Sequence, residues 1–291
     1  MYSIFHIEGG LGKHVAATAV AQCIKNNHPD RHLIVVCAYP ELFLSLPYVD
    51  RVYRYSMTPY FYQDYIQDQD TLIFKHEPYF TDDHIHKRLP LVENWCKLYN
   101  LKYNEEQPNL QFNVRQYQIA LNKWSRERPV MLMQTNGGPL DGQPYPYSWA
   151  RDMPYPLAME IAQHFSQQYH IIQITRNQET VIPGVEVVTD QIPNMELFGL
   201  LLVSQKQLLI DSCLQHASAA LNKSSTVLWV GTSPKIFGYD IHNNIEATLP
   251  KNVKLPDSYL FDYNFHGMAH ECPLTDLNIF DSEEIINSLT Y

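Results

Sequence analysis

Cysteine is scarce in this chain, with five in 291 residues. Cys23, Cys37, Cys96, Cys213 and Cys272 are odd in number, widely spaced and form no CxxC pair. That pattern argues against a disulfide framework and a zinc site, and suits reduced thiols in a cytosol. Long apolar runs are missing too. No stretch reaches the roughly 18 uninterrupted apolar residues of a membrane-spanning helix. The opening MYSIFHIEGG has no basic region and no long apolar core, so it does not read as a signal peptide. Positive charge is in deficit, with 21 Lys and Arg against 31 Asp and Glu and a formal net charge of −10. An acidic surface repels polyanions at long range, so nucleic acid is not the default partner, although a local basic groove is compatible with it. Phosphate-binding signatures are incomplete. No GxxxxGK[ST] loop occurs, and GGLGKH lacks the last glycine of GxGxxG.

The 45% hydrophobic fraction is that of an ordinary soluble globular chain, and the length suits one large or two medium domains. Tyrosine is plentiful, at 20 residues. Packing accounts for most tyrosines, and stacking on sugar rings or bases is the sharper alternative.

The chain is organised around Asp211 to Leu221, DSCLQHASAAL. The apolar run Gln207 to Ile210 precedes it and Thr226 to Val230 follows. Asp211 or Ser212 suits a helix N-cap, and Ala217, Ala220 and Leu221 form a small apolar face. The order is strand, tight turn, helix, strand. A helix N-terminus offers unpaired N–H groups and the positive end of a dipole to a phosphate, and His216 adds a possible donor. An ordinary strand-to-helix turn with a satisfied core histidine fits the spacing equally well.

The chain opens in the same way. Met1 to Ile7 reads as a strand. Glu8, Gly9, Gly10, Leu11, Gly12, Lys13 and His14 form a glycine-rich turn with exposed N–H groups. A helix follows over about Lys13 to Lys25, with Val15, Ala16, Ala19, Val20, Cys23 and Ile24 at helical spacing. Leu33 to Ala38 is an unbroken apolar run typical of a buried parallel strand. The unit is βαβ.

Both stretches resemble the heptosyltransferases, nucleotide-sugar glycosyltransferases with the two-domain GT-B fold. Asp211, Ser212, His216, Ala219, Ala220 and Leu221 stand where the D-[ST]-G-x-x-H-x-A-A-A-L signature needs them, with Ser218 for the first alanine and Cys213 for the glycine. The segment from Gly9 to Val36 resembles the family's opening, and Leu46 to Val52 its P-x-V-D-x-V segment. The resemblance covers about the first 53 residues and 135 to 239. It implies two Rossmann-like domains with parallel sheets facing a central cleft. The expected division is residues 1–120 on the acceptor side, 121–275 for the nucleotide sugar, and 276–291 as a helix crossing back to the first domain.

The resemblance also implies an activity: inverting transfer of a sugar from a nucleoside diphosphate sugar to a hydroxyl, with no metal and no resident cofactor. A glycan such as lipopolysaccharide core is the implied acceptor. Hydroxymethylated cytosine in DNA, as in phage-type members, is the alternative, and a catalytically inactive sugar-nucleotide-binding protein is a third reading. The implied location is the cytoplasm, that of the host if the chain is phage-encoded. Where the family carries its general-base Asp, this chain has Lys13. A protonated lysine does not take a proton from a hydroxyl at neutral pH. Glu8 and His14 are the nearest alternative bases, and Lys13 could neutralise leaving-group phosphate. Gly9, Gly10 and Gly12 would form the cleft loop.

The remaining candidates lie in the second half. Val130 to Gln134 reads as a strand opening into the turn-rich Thr135 to Pro139. Ser148 to Arg151 follows, then a helix from Pro156 to about Gln168. Thr135, Asn136 and Arg151 match the family's phosphate-contacting positions, and an arginine fork suits a diphosphate. Thr175 and Arg176 end the strand His170 to Thr175, at the edge where open parallel sheets hold ligands. Asp211, Ser212, Leu214, Gln215 and His216 complete the donor set. Leu89 to Tyr103 and Met195 to Leu202 read as helices, Thr71 to Lys75 and Val185 to Val188 as strands. The cluster Asp82, Asp83, His84, His86 reads as a solvated loop, and Ser282 to Tyr291 as the closing helix.

Overall fold

A computed structural model describes residues 1–137, 150–176, 178–188, 192–251, 253 and 274–290. The first half contains β1 (Tyr2–Ile7), α1 (Leu11–Asn27), β2 (His32–Cys37), β3 (Arg51–Arg54), α2 (Phe61–Tyr65), β4 (Thr71–Phe74), α3 (Asp82–Ile85) and α4 (Leu91–Leu98). The second contains α5 (Val114–Trp124), β5 (Val130–Gln134), α6 (Tyr155–Phe165), β6 (His170–Ile174), β7 (Glu186–Val188), α7 (Asn194–Val203), β8 (Lys206–Ile210), α8 (Cys213–Ala220), β9 (Thr226–Trp229), α9 (Pro234–Phe237), β10 (Asn243–Glu246) and α10 (Ser282–Thr290).

Two sheets result, ordered β3-β2-β1-β4 and β10-β9-β8-β5-β6-β7. Every pairing is parallel. The runs HLIVVC, VMLMQ and KQLLI become central strands because a parallel strand covered on both faces wants apolar residues at successive positions. All five residues of β5 are buried.

Helix α1 explains how the halves join. Its 17 residues are buried almost all round, with alanine at 16, 17, 19 and 21. A helix apolar on every side belongs inside. One face lies on the first sheet, another on α4, a third on α8. One apolar cluster runs from Phe5 and Val35 through Val15 and Ala16 to Leu214, Ala217 and Trp229. The two sheets therefore share a core, and the loops at their C-terminal edges converge where α1 and α8 begin.

Two expected boundaries move. A division at residue 120 falls inside α5, which is continuous to Trp124 and packs on α7. Gly199 makes that approach possible, since a Cβ there would lie 2.9 Å from the Cβ of Ala120. So α5 belongs with the second half. Helix α10 does not cross back, among the described residues. It packs beside α6, with Ile285 and Leu289 in the cluster of Met131, Leu208 and Leu228, and the Ser288 hydroxyl 2.8 Å from that of Thr226. Among the described residues, its apolar stripe is covered by the second sheet and α6.

The sequence Asp82 to His86 forms the short α3, capped by Thr81. Asp83 pairs with Lys97 at 2.6 Å, and Asp82 with Arg88 and His86. Those carboxylates stabilise a turn.

Candidate functional site

The loop after β1 starts the site. Gly9 has φ +99°, a backbone that only glycine adopts freely, and the Lys13 chain folds over it. Lys13 does not reach toward solvent. Its side chain is 5% exposed, and its Nζ donates to Glu77 Oε1. The ammonium also stands 5.2 Å from the ring centre of Tyr79 and 5.5 Å from that of Trp95. Aromatic faces and one carboxylate together compensate the buried charge. The role of Lys13 as a phosphate neutraliser is therefore replaced by an ion pair within the first half.

His14 is fully buried and both ring nitrogens are taken. Nε2 accepts from the Ala38 N–H at 3.3 Å, so Nδ1 carries the proton and donates to the Gly10 carbonyl at 2.9 Å. Burial lowers its pKa, and Lys13 adds to that. A neutral histidine with no spare lone pair has no place in proton transfer. Glu8 differs. It accepts from the Tyr55 hydroxyl at 2.9 Å, lies 4.0 Å from Lys75, and faces a cavity.

Across from this loop, β8 ends at Ile210, Asp211 follows it, and α8 begins at Cys213. Ser212 is the N-cap: its Oγ accepts from the Leu214 N–H at 3.2 Å and donates to Gln134 Oε1. This couples the ends of β5 and β8. Gly12 sits against the start of α8. A Cβ on it would lie 3.1 Å from both Cys213 Cα and His216 Cδ2. The N-terminal ends of α1 and α8 thus meet.

His216 shares a 2.8 Å hydrogen bond with the Tyr239 hydroxyl through Nδ1. Burial lowers its pKa to about 4, outweighing the opposite pull of Asp211. It is neutral at pH 7, and its Cδ2 edge faces the first half. Leu214 and Gln215 are wholly buried. Gln215 Nε2 donates to the Phe237 carbonyl at 2.9 Å, so this residue fastens α9 to α8.

Two arginines overhang the same helix start. Arg151 is 52% exposed and its Nε is 3.8 Å from Asp211 Oδ2, a loose contact that leaves the guanidinium fork open. Arg176 is exposed and close enough to Cys213 to oppose the upward shift of its thiol, which burial pushes to about 11. Cys213 stays protonated. Tyr79 feels charges of both halves: burial raises its phenol, Glu77 and Asp211 add to that, and Arg151 opposes.

Thr135, Asn136 and Thr175 behave otherwise than predicted donor contacts. All three are buried. Asn136 Oδ1 accepts from the hydroxyls of Thr175, Thr180 (3.0 Å) and Thr135 (3.3 Å), while its Nδ2 donates to Asp152 Oδ2 at 3.0 Å. Asp152 Oδ1 in turn accepts from the Gly137 N–H at 3.1 Å. Their polar atoms shape the β5 and β6 loops from beneath.

The site therefore unites Gly12, Asp211, Ser212, His216, Arg151 and Arg176. It adds Glu77, Tyr79, Gln134 and Asp152, which sequence reasoning missed. No motif marks them; only the adjacency of β4 to β1, and of β5 to β8, brings them in.

No protein-family model matches the chain, and no curated protein matches it. Solved structures do. A family 9 glycosyl transferase from Veillonella parvula aligns over 99% of this chain and 95% of its own, at TM-score 0.69 and 11% identity. The E. coli ADP-heptose lipopolysaccharide heptosyltransferase II aligns over 100% and 98%, at TM-score 0.69 and 13% identity. The E. coli heptosyltransferase WaaC with ADP aligns over 99% and 98%, at TM-score 0.60 and 11% identity. The fold is GT-B. The arginines and the start of α8 lie on the second half, and Glu8, Lys13 and Glu77 on the first. No described helix is long and apolar enough to cross a membrane.

Proposed function

We propose that the protein is a glycosyltransferase, moving a sugar from a nucleoside diphosphate sugar to a hydroxyl of a glycan acceptor such as lipopolysaccharide core. One observation carries the reading. Arg151, loosely paired with Asp211, and the exposed Arg176, whose charge reaches the Cys213 thiol, put two positive charges near the capped N-terminus of α8 at the C-terminal edge of the second sheet. That grouping suits a diphosphate, which needs bidentate donors and free amide N–H groups around two adjacent negative charges. The GT-B relatives add weight, one of them described with ADP.

In this reading the acceptor hydroxyl attacks the anomeric carbon opposite the leaving diphosphate, which inverts the configuration. The two arginines and the α8 amides stabilise the departing charge, so no metal is required. A carboxylate of the first half takes the hydroxyl proton. The neutral His216 offers a hydrogen bond without competing for the diphosphate as a cation. The protein would work in the cytoplasm, where its thiols stay reduced.

The experiment is a thermal-shift panel of nucleoside diphosphates and their sugars, then a transfer assay against core oligosaccharide and hydroxymethylcytosine DNA. A nucleotide at 100 times its dissociation constant stabilises the fold by about 2.7 kcal/mol. A selective shift followed by transfer to the oligosaccharide is the expected result. No shift with any nucleotide would remove the donor site. Transfer to DNA alone would replace the acceptor.

A further inference from the structure

The loops after β1 and β4 flank an open depression of about 680 Å³ on the first half, lined by Glu8, Lys75, Glu77, Phe80 and Leu98 among others. Its size is that of a small-ligand site. It opens beside the pair of Glu77 and Lys13, and Lys13 directly follows Gly12, which meets Cys213 of the second half.

The depression holds two carboxylates, and they are not equivalent. Glu8 leans toward β3, bonded to Tyr55. Glu77 leans toward α1, with Oε1 on Lys13, and its side chain is still 35% exposed. Glu77 is tied through Lys13 to the turn where Gly12 meets Cys213, so it is the carboxylate nearer the second half. Its backbone is held. Tyr99 donates to the His76 carbonyl at 2.7 Å, and Asn94 Nδ2 to the Pro78 carbonyl at 3.1 Å, both from α4 and its end. A group placed by a rigid neighbour keeps the geometry that proton transfer needs.

We infer that Glu77 is the general base, with Lys13 as its positioning residue, and that this depression is the subsite for an uncharged acceptor sugar; the inference rests on the glycosyltransferase reading above. Phe80 and Leu98 add apolar surface to the walls, which suits sugar C–H groups. Lys75 and Lys13 balance Glu8 and Glu77, so the walls favour a neutral ring over an anionic one. In the step, the acceptor O–H proton goes to a Glu77 oxygen. The acceptor oxygen bonds to the anomeric carbon. The bond from that carbon to phosphate oxygen breaks, and its electron pair leaves with the diphosphate. Glu77 then returns the proton to solvent.

The test uses the full chain. ADP-heptose, ADP-glucose, UDP-glucose and GDP-mannose are screened by calorimetry, and the tightest binder is used. Diphosphate release is followed without acceptor, where water stands in, and with E. coli core oligosaccharide. Glu77→Gln should lower kcat by about 10²–10⁴ and leave nucleotide affinity unchanged. Glu77→Asp keeps a charge opposite Lys13 and withdraws it by one methylene; it should fold and lose roughly 10-fold or more in kcat. Wild-type kcat in Glu77→Gln, or in Glu77→Asp if the glutamine variant fails to fold, overturns the assignment. So does a loss explained by weaker nucleotide binding, or a wild type that binds the donor and never releases diphosphate. A wild type that binds no nucleotide fails earlier, at the donor site, and overturns the glycosyltransferase reading itself.

Discussion

Gly12 and Cys213 stand so close that a single added carbon on Gly12 would lie 3.1 Å from the Cys213 Cα. The first turn of α1 and the first turn of α8 touch there. The contact fixes where the first half and the second half meet.

Replacing Gly12 therefore tests the closure. Gly12→Val should cost about 1–3 kcal/mol, because the backbone of α8 cannot yield like the end of a flexible side chain. Gly12→Ala should cost less, since alanine regains up to about 1 kcal/mol of helix propensity. Chemical denaturation of the three proteins should rank them wild type, alanine, valine.

The proposed diphosphate site predicts a second pattern. Arg151→Ala and Arg176→Ala should each weaken nucleoside diphosphate binding by about 1.5–3 kcal/mol, the worth of a charge-assisted hydrogen bond. Both side chains are exposed, so the melting temperature should hold, with stability changes within about 0.5 kcal/mol. Calorimetry at two salt concentrations should show wild-type binding falling more steeply with salt than that of either variant.

Asn136 should do the opposite. It supplies one oxygen to three threonine hydroxyls and an amide to Asp152. Asn136→Ala should destabilise the fold by at least about 1–3 kcal/mol, the cost of depriving buried polar groups of a partner. Equilibrium unfolding reads this directly. A stable variant with weakened nucleotide binding would return Asn136 to direct ligand contact.

Acid should find His216. Its folded pKa of about 4 lies below the ordinary value of 6.5. The unfolded chain therefore binds more protons between those values, and stability falls as pH drops from about 6.5 to 4. The loss from this one group is on the order of 3 kcal/mol. His84, also lowered to about 4 by burial, falls in the same window. His216→Gln should reduce the slope of unfolding free energy against pH there, leaving the parts of His84 and of His6, His14 and His242, which burial also lowers.

Much of the fold was legible because its signals are local. An apolar run such as Leu33 to Cys37 becomes a buried parallel strand wherever it lies. Ser212 caps α8, as expected of a serine before a helix. The site was legible only in part. Asp211, Ser212, His216 and Arg151 converge, but Thr135, Asn136 and Thr175 turn inward, and His14 is sealed by Gly10 and Ala38. Residue type marks a group as able to bind. It does not reveal whether its polar atoms are already bonded to neighbours.

The sequence by itself determined two parallel α/β halves, a glycine-rich first turn and a capped helix after β8, because periodicity, caps and turns act over a few residues. The tertiary structure decided the rest. It placed α5 with the second half, kept α10 on the second sheet, and brought Glu77 to Lys13 across 64 positions of chain. The physical reason for that last pairing is burial: Lys13, enclosed by Tyr79 and Trp95, needs an opposite charge, and only the order β1 beside β4 delivers one.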